Sequence, residues 1–133
     1  MPSSSKPLDG MRVVTLAPNV PGPVAAARLK DFGANVTKVE SPAGDPLASF
    51  NPAWYEALLE GQDVIVLDLR DAAERRELDE QLSAADLLLT SSRPASLARL
   101  GLSWGDLSGR HPRLSQVAIV GYPAPRENEP GHD

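Results

Sequence analysis

Between Leu8 and Pro46 the chain sets out an order of elements that few folds accommodate. Met11 to Leu16 is apolar and rich in β-branched residues, with Val13, Val14 and Thr15 in succession. An unbroken run of this kind predicts a strand buried on both faces, as in a parallel sheet. The turn Pro18-Asn19-Val20-Pro21-Gly22-Pro23 follows, and then an Ala-rich stretch. Pro23 suits the first turn of a helix, where a missing N–H costs nothing. Ala25, Leu29 and Phe32 fall at i, i+4 and i+7, which predicts the inner face of that helix. Gly33 predicts its stop, because glycine adopts the left-handed conformation without strain. Asn35 to Glu40 reads as a second strand, leaving through Ser41-Pro42-Ala43-Gly44-Asp45-Pro46. Strand, helix and strand in this order make half of a nucleotide-binding α/β unit.

The alternation continues. Residues 41–62 read as irregular, with a short helix around Trp54 to Leu59. Val64 to Asp68 is a third strand, and Asp71 to Ala84 a charged helix with Leu78, Leu82 and Ala85 on its inner face. Asp86 to Thr90 is a fourth strand, Pro94 to Leu100 a short helix closed by Gly101. Ser103 is a fair cap for a helix over Trp104 to Ser108, and Ser115 to Val120 is a fifth strand. The expected fold class is therefore α/β: a Rossmann-like parallel sheet of about five strands flanked by helices, with right-handed crossovers. Residues 1–7 read as a flexible lead, 8–120 as the domain and 121–133 as a loop or exit linker.

Bulk properties remove several function classes. The net charge is −5, whereas nucleic-acid binding needs a basic face. No cysteine is present, so thiol chemistry and Cys-based metal sites are out; no metal-ligand spacing stands out either. No apolar run approaches the roughly 18 residues of a membrane helix. The N-terminus lacks the apolar core of a signal peptide, so a cytoplasmic protein is expected.

Ligands of open parallel sheets bind beyond the carboxyl ends of the strands. In the first such loop, a dinucleotide site of the usual kind needs a Gly-x-Gly-x-x-Gly pattern. Only Gly22 is present among three prolines, which argues against NAD, although Glu40 stands about where a ribose-binding acid would fall. The loop reads either as a rigid strand–helix turn or as a backbone cradle around Val20 and Gly22 facing an acyl or phosphate group. Lys38, Arg70, Arg93 and Arg99 all follow strands. Arg suits bidentate phosphate contacts and Lys a point-charge contact, so convergence on one polyanion is a candidate role. Each alone also fits a solvated surface charge. His132 lies beside Asp133, and imidazole is the usual general base near neutral pH. His111 precedes Pro112 and reads as structural. Trp54 and Trp104 read as core or rim packing, and Asp45 and Asp68 as turn or strand-end acids.

Taken together, these phrases resemble a known family. Pro7-Leu8-Asp9-Gly10, Pro21-Gly22-Pro23, Asp31-Phe32-Gly33-Ala34-Asn35-Val36-Thr37-Lys38-Val39-Glu40 and Gly44-Asp45-Pro46 match in order and spacing. So do Leu67-Asp68-Leu69-Arg70, Ala85-Asp86-Leu87-Leu88, Arg93-Pro94, Arg99-Leu100-Gly101-Leu102 and Gly131-His132-Asp133. The chain resembles the N-terminal segment of the class III (CaiB/BaiF-type) CoA-transferases, a superfamily that includes α-methylacyl-CoA racemase. The resemblance implies coenzyme A, as an acyl-CoA thioester, with carboxylic acids as co-substrates and an interlocked homodimer. By position it places Lys38, Arg70 and Arg93, and with them Arg99, on the adenosine phosphates. It implies two chemistries. In the transferases an Asp carboxylate attacks the acyl-CoA; in the racemases a His, here His132, exchanges the α-proton with an Asp. Members are much longer and their catalytic Asp falls after residue 133. A fragment is therefore expected, and a non-catalytic CoA-binding module is a third reading. Two departures stand out: Glu60-Gly61-Gln62-Asp63 replaces a basic run before strand three, and Gly121-Tyr122-Pro123-Ala124-Pro125-Arg126 replaces a Gly-rich phrase after strand five.

Overall fold

The computed structural model describes residues 5–130. Five strands form one sheet: β1 (Arg12–Thr15), β2 (Asn35–Glu40), β3 (Asp63–Val66), β4 (Leu87–Thr90) and β5 (Ser115–Ala118). Their order is β3-β2-β1-β4-β5 and every pair is parallel. The chain builds outward from β1 to β3, then crosses back to place β4 on the other side of β1. The switch point is thus between β1 and β4, where such sheets open for ligands.

Side chains alternate across the sheet and divide the core in two. Val14, Val39 and Leu88 point to one face, packed with Leu78 and Leu82 of α4 (Ala72–Ser83), Leu97 of α5 (Pro94–Arg99) and Leu107 of α6 (Trp104–Arg110). Val13, Val36 and Leu89 point to the other, packed with Ala26 of α1 (Pro21–Asp31). The expected inner face of α4 is the observed one: Leu78, Leu82 and Ala85 are all buried.

The inner face of α1 follows expectation at Ala25 and Leu29, which pack with Val13, Val36 and Leu89, and departs from it at Phe32. Gly22, Pro23 and Ala26 are its buried residues, and Phe32 is 44% exposed, with the Arg28 guanidinium 5.6 Å from its ring centre. Phe32 is the C-cap residue, past the last turn of the helix; at the N-terminus the approach is close, and a Cβ on Gly22 would overlap the Ala17 side chain. Ala17 is itself fully buried. Small residues therefore make the contact at that end, and Leu29 packs on the core further along the helix. At its other end α1 stops as expected. Gly33 has φ +107°, and the N–H groups of Gly33 and Ala34 donate to the carbonyls of Lys30 and Leu29, a Schellman closure.

Residues 41–62 are more regular than their sequence suggests. They form α2 (Pro46–Phe50) and α3 (Pro52–Leu59). Asp45 caps α2 by accepting the Leu47 N–H at 2.9 Å, and Asn51 caps α3 by accepting the Trp54 N–H at 3.1 Å. Each helix opens on a proline at its first position. These two cap-and-proline signatures mark both helices.

The two edge strands are less buried than a parallel strand is expected to be. Val66 of β3 is 56% exposed and Val117 of β5 48%. Trp54 and Trp104 are also partly exposed and belong to the rim. Residues 121–130 contain turns and no helix or strand. No described helix is long and apolar enough to cross a membrane.

Candidate ligand-binding site

The carboxyl ends of β1, β2 and β3 open into a cleft of about 360 Å³, in the range of small-molecule sites. Leu16 enters from just after β1, Val39 from β2, Leu67 and Leu69 from the segment after β3, Leu97 from α5 and Leu100 from its C-cap. Ser41, Ser92, Glu40, Asp68 and Arg70 supply the polar lining. The cleft thus offers an apolar floor with a few hydrogen-bonding groups and one guanidinium.

Arg70 and Asp68 form one unit. Asp68 Oδ1 accepts the Arg70 backbone N–H at 3.1 Å and its Nε–H at 3.2 Å. The backbone N–H first, and then the guanidinium, hold the Asp68 carboxyl below the usual carboxylate range. Glu74 Oε1 accepts the Asp68 N–H at 3.2 Å, tying this loop to α4. The Arg70 side chain remains 83% exposed, so its guanidinium is available to a ligand.

Beside the cleft is a smaller hollow lined by Lys38, Glu40, Gly44 and Asp45. Its chemistry is already internal. Lys38 is 2% exposed. Its ammonium pairs with Asp45 and, at 3.2 Å, with Glu40, and lies 5.1 Å from the centre of the Tyr55 ring. The Tyr55 hydroxyl donates to Glu40 at 2.6 Å. Asp45 also accepts the Asn19 N–H at 2.9 Å, which holds Asn19 in the left-handed region at φ 68°. Burial pushes the Asp45 carboxyl up, but the Lys38 ammonium and the Asn19 and Leu47 N–H groups outweigh it, so it is held below its ordinary value. Burial, with Glu40 and Asp45 nearby, pushes the Tyr55 phenol up to about 12. This network joins the β1–α1 loop, the end of β2 and the start of α2 into one rigid block.

The candidates from sequence are therefore distributed unevenly. Arg70 lines the cleft and Lys38 the hollow beside it. Arg93 is the N-cap residue of α5 and Arg99 closes that helix, whose Leu97 and C-cap Leu100 wall the cleft. Val20 is the N-cap residue of α1 and makes no side-chain cap. Gly22 is buried against Ala17. His132 lies outside the described residues. The turn Glu60-Gly61-Gln62-Asp63 enters β3 from its amino end and packs near Lys30 of α1, at the opposite end of the sheet from the cleft. Among the described residues no group of three His, Asp or Glu side chains could hold a metal ion.

Asp45 and Tyr55 are the residues whose part the sequence reading did not anticipate. Lys38 and Glu40 are two apart on a strand and so share a face, and Asp45-Pro46 is a cap signature; these two signals were there to be joined.

Comparison with known proteins gives a consistent result. The family model of CoA-transferase family III matches residues 8–133. The cinnamoyl-CoA:phenyllactate CoA-transferase of Clostridium sporogenes is 33% identical over 146 residues, covering 100% of this chain and 35% of that protein. The succinyl-CoA--D-citramalate CoA-transferase of Chloroflexus aurantiacus is 31% identical over 125 residues, covering 88% of this chain and 31% of that protein. A CaiB/BaiF family protein from Brucella suis superposes with a TM-score of 0.89 at 30% identity, over 98% of this chain and 38% of its own. The chain spans about a third of the length of the curated relatives it matches.

Proposed function

Because this chain belongs to CoA-transferase family III, we propose that it is the CoA-binding N-terminal domain of an enzyme that moves CoA between carboxylic acids. The observation that carries the proposal is the apolar cleft at the strand carboxyl ends with Arg70 among its lining groups. The apolar floor suits the adenine ring. Arg70 suits a phosphate oxygen pair, which a planar guanidinium can bind bidentately. Arg93 and Arg99, at the two ends of α5, are the further cations assigned to the same polyanion. The first turn of α1 is assigned to the acyl side of the ligand by its place after β1. Pro21 and Pro23 carry no N–H, so Gly22 offers the sole backbone donor among its first three residues.

Lys38 takes a supporting part in this reading. Its ammonium is occupied by Glu40 and Asp45, so it braces the end of β2 beneath the cleft instead of meeting phosphate. Of the two chemistries the resemblance implies, transfer is preferred, since the relatives compared above are named as CoA-transferases. The nucleophilic carboxylate of that reaction is not assigned to any residue of this chain.

Calorimetric titration of the chain with CoA, with NAD as control, tests the proposal. Arg70→Ala is expected to weaken CoA binding by about tenfold or more, as loss of a charge-assisted contact of about 1.5 kcal/mol implies. Binding of NAD in preference to CoA would sink the reading.

A further inference from the structure

The charge around the cleft says something about which end of its ligand matters. Arg70 is the one cation among the described lining residues, and Asp68 and Glu40 line the same space. Arg70 already shares its Nε–H with Asp68 at 3.2 Å. The adjoining hollow adds no positive charge, because the Lys38 ammonium faces both Glu40 and Asp45. Counting these groups at neutral pH, two cations meet three carboxylates. Ser41 and Ser92 are the remaining polar lining groups, and hydroxyls pair equally well with hydroxyls or phosphate.

A ribose hydroxyl fits such a wall, since a carboxylate accepts its proton. A phosphate dianion placed there meets the Asp68 carboxylate, the Glu40 carboxylate already paired with Lys38 at 3.2 Å, and only one guanidinium, itself partly satisfied. Like charges in a partly desolvated cleft repel, and such repulsion is a means of excluding a wrong partner.

Resting on the CoA reading above, we infer that this cleft binds the nucleoside end of its ligand without selecting for the ribose 3′-phosphate. Asp68 is the specificity-determining residue. The diphosphate, which meets the exposed Arg70 guanidinium and α5, supplies the anionic part of the recognition. The site accordingly accepts dephospho-CoA as readily as CoA.

Parallel calorimetric titrations with CoA and dephospho-CoA decide this. The two dissociation constants are expected to agree within about threefold, the mark of a phosphate left largely in solvent. Asp68→Asn keeps an acceptor for the Arg70 N–H groups while removing the charge. It is expected to create a clear preference for CoA over dephospho-CoA, with circular dichroism unchanged. CoA binding more than threefold tighter than dephospho-CoA in the unaltered chain would overturn the inference while leaving the CoA site standing. An Asp68→Asn variant with no gained preference would remove Asp68 from its role. Failure of both ligands to bind would overturn the CoA reading itself, and this inference with it.

Discussion

Lys38 shows how far a residue's neighbours determine its part. By position it is a strand-end cation; by geometry it is a buried counter-ion for Asp45 and Glu40. Removing one member of a buried pair leaves the other charge uncompensated, at a cost of about 3–5 kcal/mol. Lys38→Met is expected to lose stability on that scale in urea titrations. The double variant Lys38→Met/Asp45→Asn is expected to recover a large part of it, because Asn still accepts the Asn19 and Leu47 N–H groups. The same network sets two pH dependences of opposite sign. Asp45 has a depressed carboxyl pKa, so its contribution is full above the unfolded value of about 4. It is lost as the pH falls through the folded value. Asp45→Asn is expected to flatten the acid limb of a plot of urea midpoint against pH. Tyr55 is the reverse case, with its phenol raised to about 12. Between about 10, where the unfolded phenol titrates, and that value the folded chain holds a proton the unfolded chain has lost. Stability therefore falls as the pH rises across this window. The phenolate absorbance of the chain minus that of Tyr55→Phe should titrate near 12, and Glu40→Gln should bring it down.

At the scale of elements, the approach of α1 to the β1 loop is the tightest contact that sequence alone could not reveal. Gly22 is flanked by prolines and reads equally as a turn glycine or a ligand cradle. Only the packed structure shows Ala17 where its Cβ would stand. Gly22→Ala is expected to cost about 1–3 kcal/mol by overpacking, and Ala17→Gly in the same chain to relieve it, both read from denaturation midpoints. Phe32 continues the spacing of Ala25 and Leu29, which do pack on the core, but as the C-cap residue it lies beyond the helix whose face that spacing describes. By contrast β2 was legible residue for residue, because Gly33 ends α1 and the pattern from Asn35 to Glu40 is unambiguous. The inner face of α4 was legible too, since Leu78 and Leu82 are the only large apolar residues of that helix. The helices after Asp45 and Asn51 were not anticipated in full. Each is too short for periodicity to show, and only the caps betray them. Arg70 lines the cleft, where the rule that ligands bind beyond strand carboxyl ends puts it. That rule did not separate it from Lys38, whose orientation depends on Asp45 seven residues away.

For the whole molecule, the sheet order places the switch point beside α5, and the cleft extends from there across the ends of β1, β2 and β3. Fold and family membership are those of CoA-transferase family III, and the CoA site proposed for this chain is that cleft. The most direct measurement is amide chemical-shift mapping of the chain during titration with CoA. The account predicts that the largest shifts cluster at Val39 to Ala43, Leu67 to Arg70 and Ser92 to Leu100. Shifts confined to Glu60 to Asp63, at the other end of the sheet, would contradict it, as would a spectrum that CoA leaves unchanged.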